Sequence, residues 1–375
     1  MTSIGGASTG MVDWNLAVAT ATRLVRPGPE VSRDEARAVV AELRRHAKAS
    51  EEHVRGFTRL GTEEGHDTPV LVVDRPGWIR ANVAGFREIL KPLLDKMQER
   101  RGNTPGGSVM GAVGGKVTGV ELGMLLSFLA SRVLGQYETF APATRELPSG
   151  ANGGGRLLLV APNIVHVERE LDVDPHDFRL WVCLHEETHR TQFTAVPWLR
   201  DHLEGEIQAF LQETDVDPMT VLERVREAAQ TLAGGRPEAE EDDGGRSLVE
   251  IVQTPAQREI LGRLTAVMSL LEGHADFVMD GVGPDVVPTV GEIREKFQQR
   301  RAKGASRLDL ALRKLLGLDA KLRQYRDGER FVRAVVDEVG MDGFNRVWTS
   351  PNTLPTKSEI AKPADWVARV HRRAE

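Results

Sequence analysis

Residues 185–189 read His-Glu-Glu-Thr-His, and on a helix two histidines four positions apart lie on one face, so both imidazoles can reach a single metal ion. Glu186 flanks that ion from the next position around the helix. A carboxylate there can take a proton from a water acidified by the metal, whose pKa falls toward about 7. His185 and His189 are therefore candidate metal ligands, and Glu186 is a candidate general base. The plain alternative, two histidines that pack or face water, leaves the intervening glutamate without a role.

A catalytic zinc ion usually takes a third protein ligand and keeps one position open for water. The residues after the motif, Arg190-Thr191-Gln192-Phe193-Thr194-Ala195, lack the glycine and third histidine of the metzincin pattern, so the third ligand must come from elsewhere. Glu272 is the strongest candidate. It stands four residues before Asp276 on one helical face, and the neighbours Leu270, Leu271, Phe277 and Val278 argue against an exposed acidic surface. The pair resembles the ExxxD pattern of the gluzincins. That resemblance implies that Glu272 binds zinc and that Asp276 hydrogen-bonds a ligand histidine, fixing its tautomer and orientation. His274 is the rival ligand, but two positions along a helix points it to nearly the opposite side from Glu272, which suits a packed or supporting histidine. The interval from His189 to Glu272 is longer than in the better-known gluzincins and contains an acidic loop.

An oxyanion formed when water attacks a carbonyl needs a donor, often Tyr, His or Arg. Tyr325 and His166 are candidates, with His274 a further oxyanion or substrate contact to consider, although ordinary packing or solvent contact accounts for each. Cys183 precedes His185 by two and so points away from the metal face, as a buried small apolar side chain rather than a nucleophile.

The elements that must position these residues are mostly helical. Asp174 can cap a helix that starts at Pro175, and Phe178, Trp181, Val182 and Leu184 carry its apolar pattern past position 189. Ser32 and Glu35 stand at capping-box spacing before Val39, Leu43 and Ala47. Val70 to Val73 is a short apolar run; Pro76-Gly77-Trp78 punctuates the chain before a helical pattern through Phe86, Leu90 and Leu94. Arg156 to Val167 is the best strand candidate, and Pro162 makes it an edge strand or bends it there. An edge strand beside the metal offers an extended peptide a ladder to pair with. Helical patterns return from Pro255 to Asp280 and from Val290 to Val339, while Pro351 to Pro355 is irregular.

Gly115-Lys116 imitates the end of a phosphate-binding loop, but Val117 stands where Ser or Thr is needed and Met110 where glycine is needed. The same region carries a small residue at every fourth position from Gly107 through Gly135, a stripe that suits close helix packing. Residues 234–245, with five acidic side chains, read as a solvated loop. The expected fold is α+β, predominantly helical, with a small sheet beside the His-Glu-Glu-Thr-His helix. It divides into an N-terminal helical region, 1–100, and a metallohydrolase region, 101–375, or runs as one continuous domain.

Bulk properties narrow the partners. The 375 residues carry a formal charge of -6, with a pI near 6.0, which gives no field to gather nucleic acid or anionic lipid. The single cysteine forbids an intramolecular disulfide and any Cys-rich zinc site. The N-terminus lacks a basic start and apolar run, and Leu122 to Ser131 is far short of the roughly 20 residues that span a bilayer. A cytoplasmic protein with no membrane segment is expected.

The stretches VDWNLAVATATRLVRPGPEVSR, VVDRPGWIRAN, LLLVAPNIV, HEETHRTQF, LEGHADFVMDGVG, QYRDGERF and VWTSPNTLPT carry a resemblance that spans nearly the whole chain. It is to the zincin-like (type 2) metallopeptidase family of actinobacteria, in particular the branch associated with biosynthesis of the deazaflavin coenzyme. The resemblance implies a zincin-like fold and hydrolase activity with one zinc ion; the coenzyme link is one of association, and no residue here resembles a deazaflavin site. The leading expectation is a zinc hydrolase, foremost a metallopeptidase, with a non-peptide small amide as the other substrate class. The alternative is a catalytically silent, zincin-derived binding or scaffold protein, against which Glu186 speaks, because a structural metal site has no use for a general base.

Overall fold

The computed structural model describes residues 12–61, 68–102, 107–140, 155–213, 254–303 and 318–371, with the backbone alone for 97–102, 107–117, 301–303 and 318–326. Helices dominate. The chain runs through α1 (Trp14–Leu24), α2 (Arg33–Thr58), β1 (Val70–Val73), α3 (Arg75–Gly102), α4 (Gly107–Ala130), β2 (Gly135–Glu138) and β3 (Arg156–Val160). It continues through α5 (Ala161–Leu171), α6 (Pro175–Ala195), α7 (Pro197–Gln212), α8 (Pro255–Gly281), α9 (Val290–Lys303), α10 (Leu318–Phe344), α11 (Lys357–Ala361) and α12 (Pro363–His371). The loop at 234–245 lies outside the described residues. The architecture is zincin-like α+β, mostly helical, with one small sheet.

Helix starts follow the local chemistry. The Asp174 carboxylate accepts from Asp177 N–H at 3.0 Å, and Pro175, which has no N–H to leave unsatisfied, takes the first helical position of α6. Ser32 Oγ accepts from Glu35 N–H at 3.1 Å at the head of α2. Pro76 belongs to the first turn of α3, where Asp74 accepts from Gly77 N–H at 2.7 Å, so the Pro-Gly pair opens a helix rather than a loop.

The sheet has the order β1-β3-β2. β1 runs parallel to β3 in the register Val70↔Leu157 to Val73↔Val160, and β2 runs antiparallel to it, Gly135↔Leu159 to Glu138↔Arg156. β3 is thus the central strand, buried along its whole length, which corrects the expectation of an edge strand reaching Val167. The strand stops at Val160 and Pro162 sits in the first turn of α5. A strand buried on both faces, followed at once by a helix that buries Ile164, Val165 and Val167, writes a single apolar run in which the change of element is invisible. The edge beside α6 belongs to β2.

Among the described residues, three buried clusters hold the fold together. One joins α2, α5 and α6 through Leu43, Ile164, Phe178 and Leu184; a second joins α7, α8 and α10 through Leu199, Leu270, Phe331 and Phe344. The third packs α3 and α4 on the sheet through Ile79, Leu126 and Leu158. Part of the small-residue stripe of α4 lies against α1: a β-carbon at Gly119 would fall 2.7 Å from the Asp13 carbonyl oxygen, and one at Gly123 2.7 Å from Thr20 Cβ. Gly135 continues that spacing by coincidence and belongs to β2. Where α8 and α10 cross, Gly273 and Gly328 meet backbone to backbone with no room for a β-carbon on either. Among the described residues no helix is long and apolar enough to cross a membrane.

Candidate metal centre

The central turns of α6 present His185 and His189 toward α8, which answers with Glu272. The two Nε2 atoms lie 3.3 Å apart. Glu272 Oε2 stands 3.7 Å from the first and 3.9 Å from the second. Ligand atoms held about 2.0–2.2 Å from one tetrahedral ion are separated by roughly 3.3–3.6 Å, so the two imidazole nitrogens stand at ligand spacing and the carboxylate oxygen stands slightly beyond it. Two imidazoles and one carboxylate suit zinc. The residues present fit the ion.

The outer nitrogens of the histidines are held differently. His189 Nδ1 lies 3.0 Å from Gln192 Oε1. The amide of Gln192 donates to the Leu271 carbonyl at 2.9 Å and lies 3.0 Å from His274 Nδ1. A carbonyl can only accept, so the NH2 end of Gln192 faces α8 and its oxygen faces His189. His189 must then carry its proton on Nδ1, which leaves the Nε2 lone pair for a metal. His185 Nδ1 lies 3.2 Å from Met279 Sδ and 3.7 Å from Asp276 Oδ1. Asp276 therefore stands beside His185, with this contact at more than hydrogen-bond length.

His274 does not face the ligands. It is fully buried, with its ring centroid 5.3 Å from that of Phe344 and 5.4 Å from that of Trp348. Burial first, and His189 second, pull its pKa down to about 3, so it is a neutral packing element that accepts from Gln192. His166 lies half-exposed on α5 near Glu170, at 3.8 Å, and does not line the cleft. The Tyr325 side chain is outside the described residues. Cys183 is buried at the α2 side of α6, its Sγ 3.8 Å from the Leu43 carbonyl oxygen.

Glu186 is only 6% exposed. It packs against the backbone of β2, where a β-carbon at position 135 would lie 2.6 Å from both Cγ and Cδ of the carboxyl side chain. Any side chain there would force Glu186 to shift. Burial, with the nearby Glu272 adding to it, pushes the Glu186 carboxyl well above the usual carboxylate range. Both residues open onto a cleft of about 900 Å³ whose walls include all of β2, Phe86, Phe140, Phe193 and Met268.

Gln192 and Gly135 were not evident from the sequence as members of this site. Gln192 carried a signal, since it stands three residues after His189 and so on its face of the helix. Gly135 carried none.

With this geometry in hand, comparison with known proteins is decisive for the family. Residues 12–367 match the model described as Zincin-like metallopeptidase. The chain belongs to the zincin-like metallopeptidase family. A crystal structure from Chloroflexus aurantiacus, of a protein described provisionally as a hydrolase with a novel fold, is similar over 96% of this chain and 99% of that one, at 30% identity and a TM-score of 0.66. A search of curated proteins finds no match. The family carries the coarse conclusion that the chain is a hydrolase of zincin type with a zinc cofactor.

Proposed function

We propose that this zincin is a peptidase in which His185, His189 and Glu272 hold one zinc ion and Glu186 is the general base. The observation that carries the reading is the convergence of these four side chains, from α6 and α8, at the wall of a cleft bounded by the edge strand β2. Zinc, when bound, supplies a Lewis acid that polarises a carbonyl and acidifies water. Glu186 takes the proton of the attacking water and returns it to the leaving amine, held in place by the β2 backbone at Gly135.

The cleft supports a peptide as the substrate. β2 pairs with β3 alone among the described strands, and its residues from Gly135 to Glu138 line the cleft. An extended peptide can add to that edge through main-chain hydrogen bonds, while the apolar walls receive side chains. The burial of Glu186 speaks for catalysis over a scaffold role. Desolvating a carboxyl beside another carboxylate is costly, and a purely structural metal site gains nothing from it. On the stretches quoted above we also place the chain in the deazaflavin-associated branch, a placement that names no substrate.

The test is a peptide-library digestion followed by mass spectrometry, with zinc-loaded wild type and Glu186→Gln. Cleavage by the wild type, reduced at least about a thousandfold in the variant at equal zinc content, is the expected outcome. Equal cleavage by both, or none by the zinc-loaded wild type, overturns the peptidase reading.

A further inference from the structure

A second group of metal-ligating side chains lies at the other end of α6. Glu42 and His46 stand four apart on α2, so they share a face, and His176 reaches them from the first turn of α6. One carboxylate oxygen, Glu42 Oε1, is 3.0 Å from His176 Nδ1 and 3.5 Å from His46 Nε2. The two rings meet edge-on with centroids 4.6 Å apart. All three ligand atoms lie within 4.8 Å of one another.

Two features separate this cluster from an ordinary surface ion pair. His46 is 7% exposed, and its Nε2 is buried with no hydrogen-bond partner, although it points at the carboxylate. A buried nitrogen held only by this long contact with Glu42 gives up stability that a bound cation would recover. The second feature is how the carboxylate is held. Arg179 takes Glu42 Oε2 with one nitrogen and forks onto Glu168 with Nε at 2.9 Å and Nη2 at 2.6 Å. This leaves Glu42 Oε1 turned to the histidines. Anchoring from behind is what orients carboxylate ligands in metal sites. Glu168 offsets the charge of Arg179, so the guanidinium does not by itself repel an ion.

We propose that Glu42, His46 and His176 form a second site for a divalent transition metal of the zinc class, joining α2 to the first turn of α6. The donor set is again two imidazoles and one carboxylate, with the open side at the exposed His176 available to water. The site is nine residues, or about 13 Å along the helix, from His185, so its ion is distinct from the one at the cleft. Bound metal ties down the N-terminal end of the helix that carries the cleft ligands, and its binding energy adds to folding stability.

The proposal does not depend on peptidase activity, and the test keeps the two sites apart. Untagged protein, stripped with chelator, is titrated with zinc chloride in four forms: wild type, His189→Ala, His176→Ala and the double variant. Zinc per chain is read by plasma mass spectrometry after gel filtration, and melting temperature is read with and without zinc. The expected result is two zinc ions in the wild type, one in each single variant and none in the double. Zinc should raise the melting temperature of His189→Ala, and His176→Ala should abolish that rise. His176 is exposed, so its replacement should not prevent folding, and the zinc-free melting temperature checks this. If His189→Ala binds no zinc, or if it binds one ion that His176→Ala does not weaken at least tenfold, the second site is refuted. Loss of zinc only in the variants that carry His189→Ala would also refute it, leaving the cleft site intact.

Discussion

Replacing Gln192 by leucine tests the reasoning about the metal centre without requiring a known substrate. The side chain is fully buried and leucine nearly fills its volume, so the change removes two functions. The first is the acceptor 3.0 Å from His189 Nδ1, which selects the tautomer that points its lone pair at the metal. Loss of such outer partners typically weakens metal binding 10- to 100-fold, or about 1.4 to 2.7 kcal/mol. The second is the donor to the Leu271 carbonyl at 2.9 Å and to His274 Nδ1 at 3.0 Å. Stranding His274 Nδ1 costs roughly 1 to 3 kcal/mol of folding stability. Zinc affinity is measured by competition with a chromophoric chelator, and stability by thermal melting of the zinc-free protein. Gln192→Glu separates the functions, because a carboxylate still accepts from His189 but donates nothing to α8. It should keep zinc affinity within a few-fold of wild type while losing stability. If Gln192→Leu binds zinc as the wild type does, or if the glutamate variant binds as weakly as the leucine variant, then Gln192 does not orient His189.

Two further outcomes follow from the same contacts. Gly135→Ala should lower turnover on the order of a hundredfold with zinc content unchanged, because the new β-carbon, 2.6 Å from the Glu186 side chain, forces a shift of about 1 Å in the base; wild-type turnover would show that the position of Glu186 is not critical. At the C-terminus, burial raises the Glu359 pKa, but its hydrogen bonds to Arg369, at 2.6 and 3.0 Å, and to Thr356 outweigh burial and hold the carboxyl below its usual value. A carboxyl with a lowered folded pKa stabilises above its unfolded pKa of about 4.3 and loses that contribution as pH falls through the folded value. Glu359→Gln should therefore lower the melting temperature at pH 7, by an amount corresponding to about 1 to 2 kcal/mol, with the gap closing as pH falls through the folded pKa; a gap that persists in acid would assign the effect to packing.

The parts of the molecule that were legible in the sequence are those whose cause is local. The cap at Asp174, Pro175 at the first helical position and the apolar pattern after it are sufficient to start α6 where it starts, and the spacing of His185 and His189 then follows from helix geometry. The sheet was legible only in part. β1 showed as an apolar run, but β3 ran into α5 without a break, and β2 has neither alternation nor β-branched residues in Gly-Gln-Tyr-Glu. What makes β2 a strand is its pairing with β3 and its packing on α6, both of which are long-range contacts. The same holds for Gly135, whose small size answers to Glu186, a residue about fifty positions later, and not to the helical stripe whose period it shares.

The joining of α6 to α8 is the step that brings Glu272 beside His185 and His189, and it is carried by few atoms. Gly273 lets α10 press against α8, and Gln192 ties α6 to the carbonyl of Leu271, the residue just before Glu272. Through His274 the same glutamine reaches the rings of Phe344 and Trp348. One amide thus sets both the tautomer of His189 and its relation to the helix that supplies Glu272. Changes in the packing of α8 on α10 then reach Glu272 directly along α8 and His189 through Gln192. A substitution at Trp348, which reaches Gln192 through His274, should for that reason change zinc affinity less in a Gln192→Leu background than in the wild type, since neighbours in one network do not add.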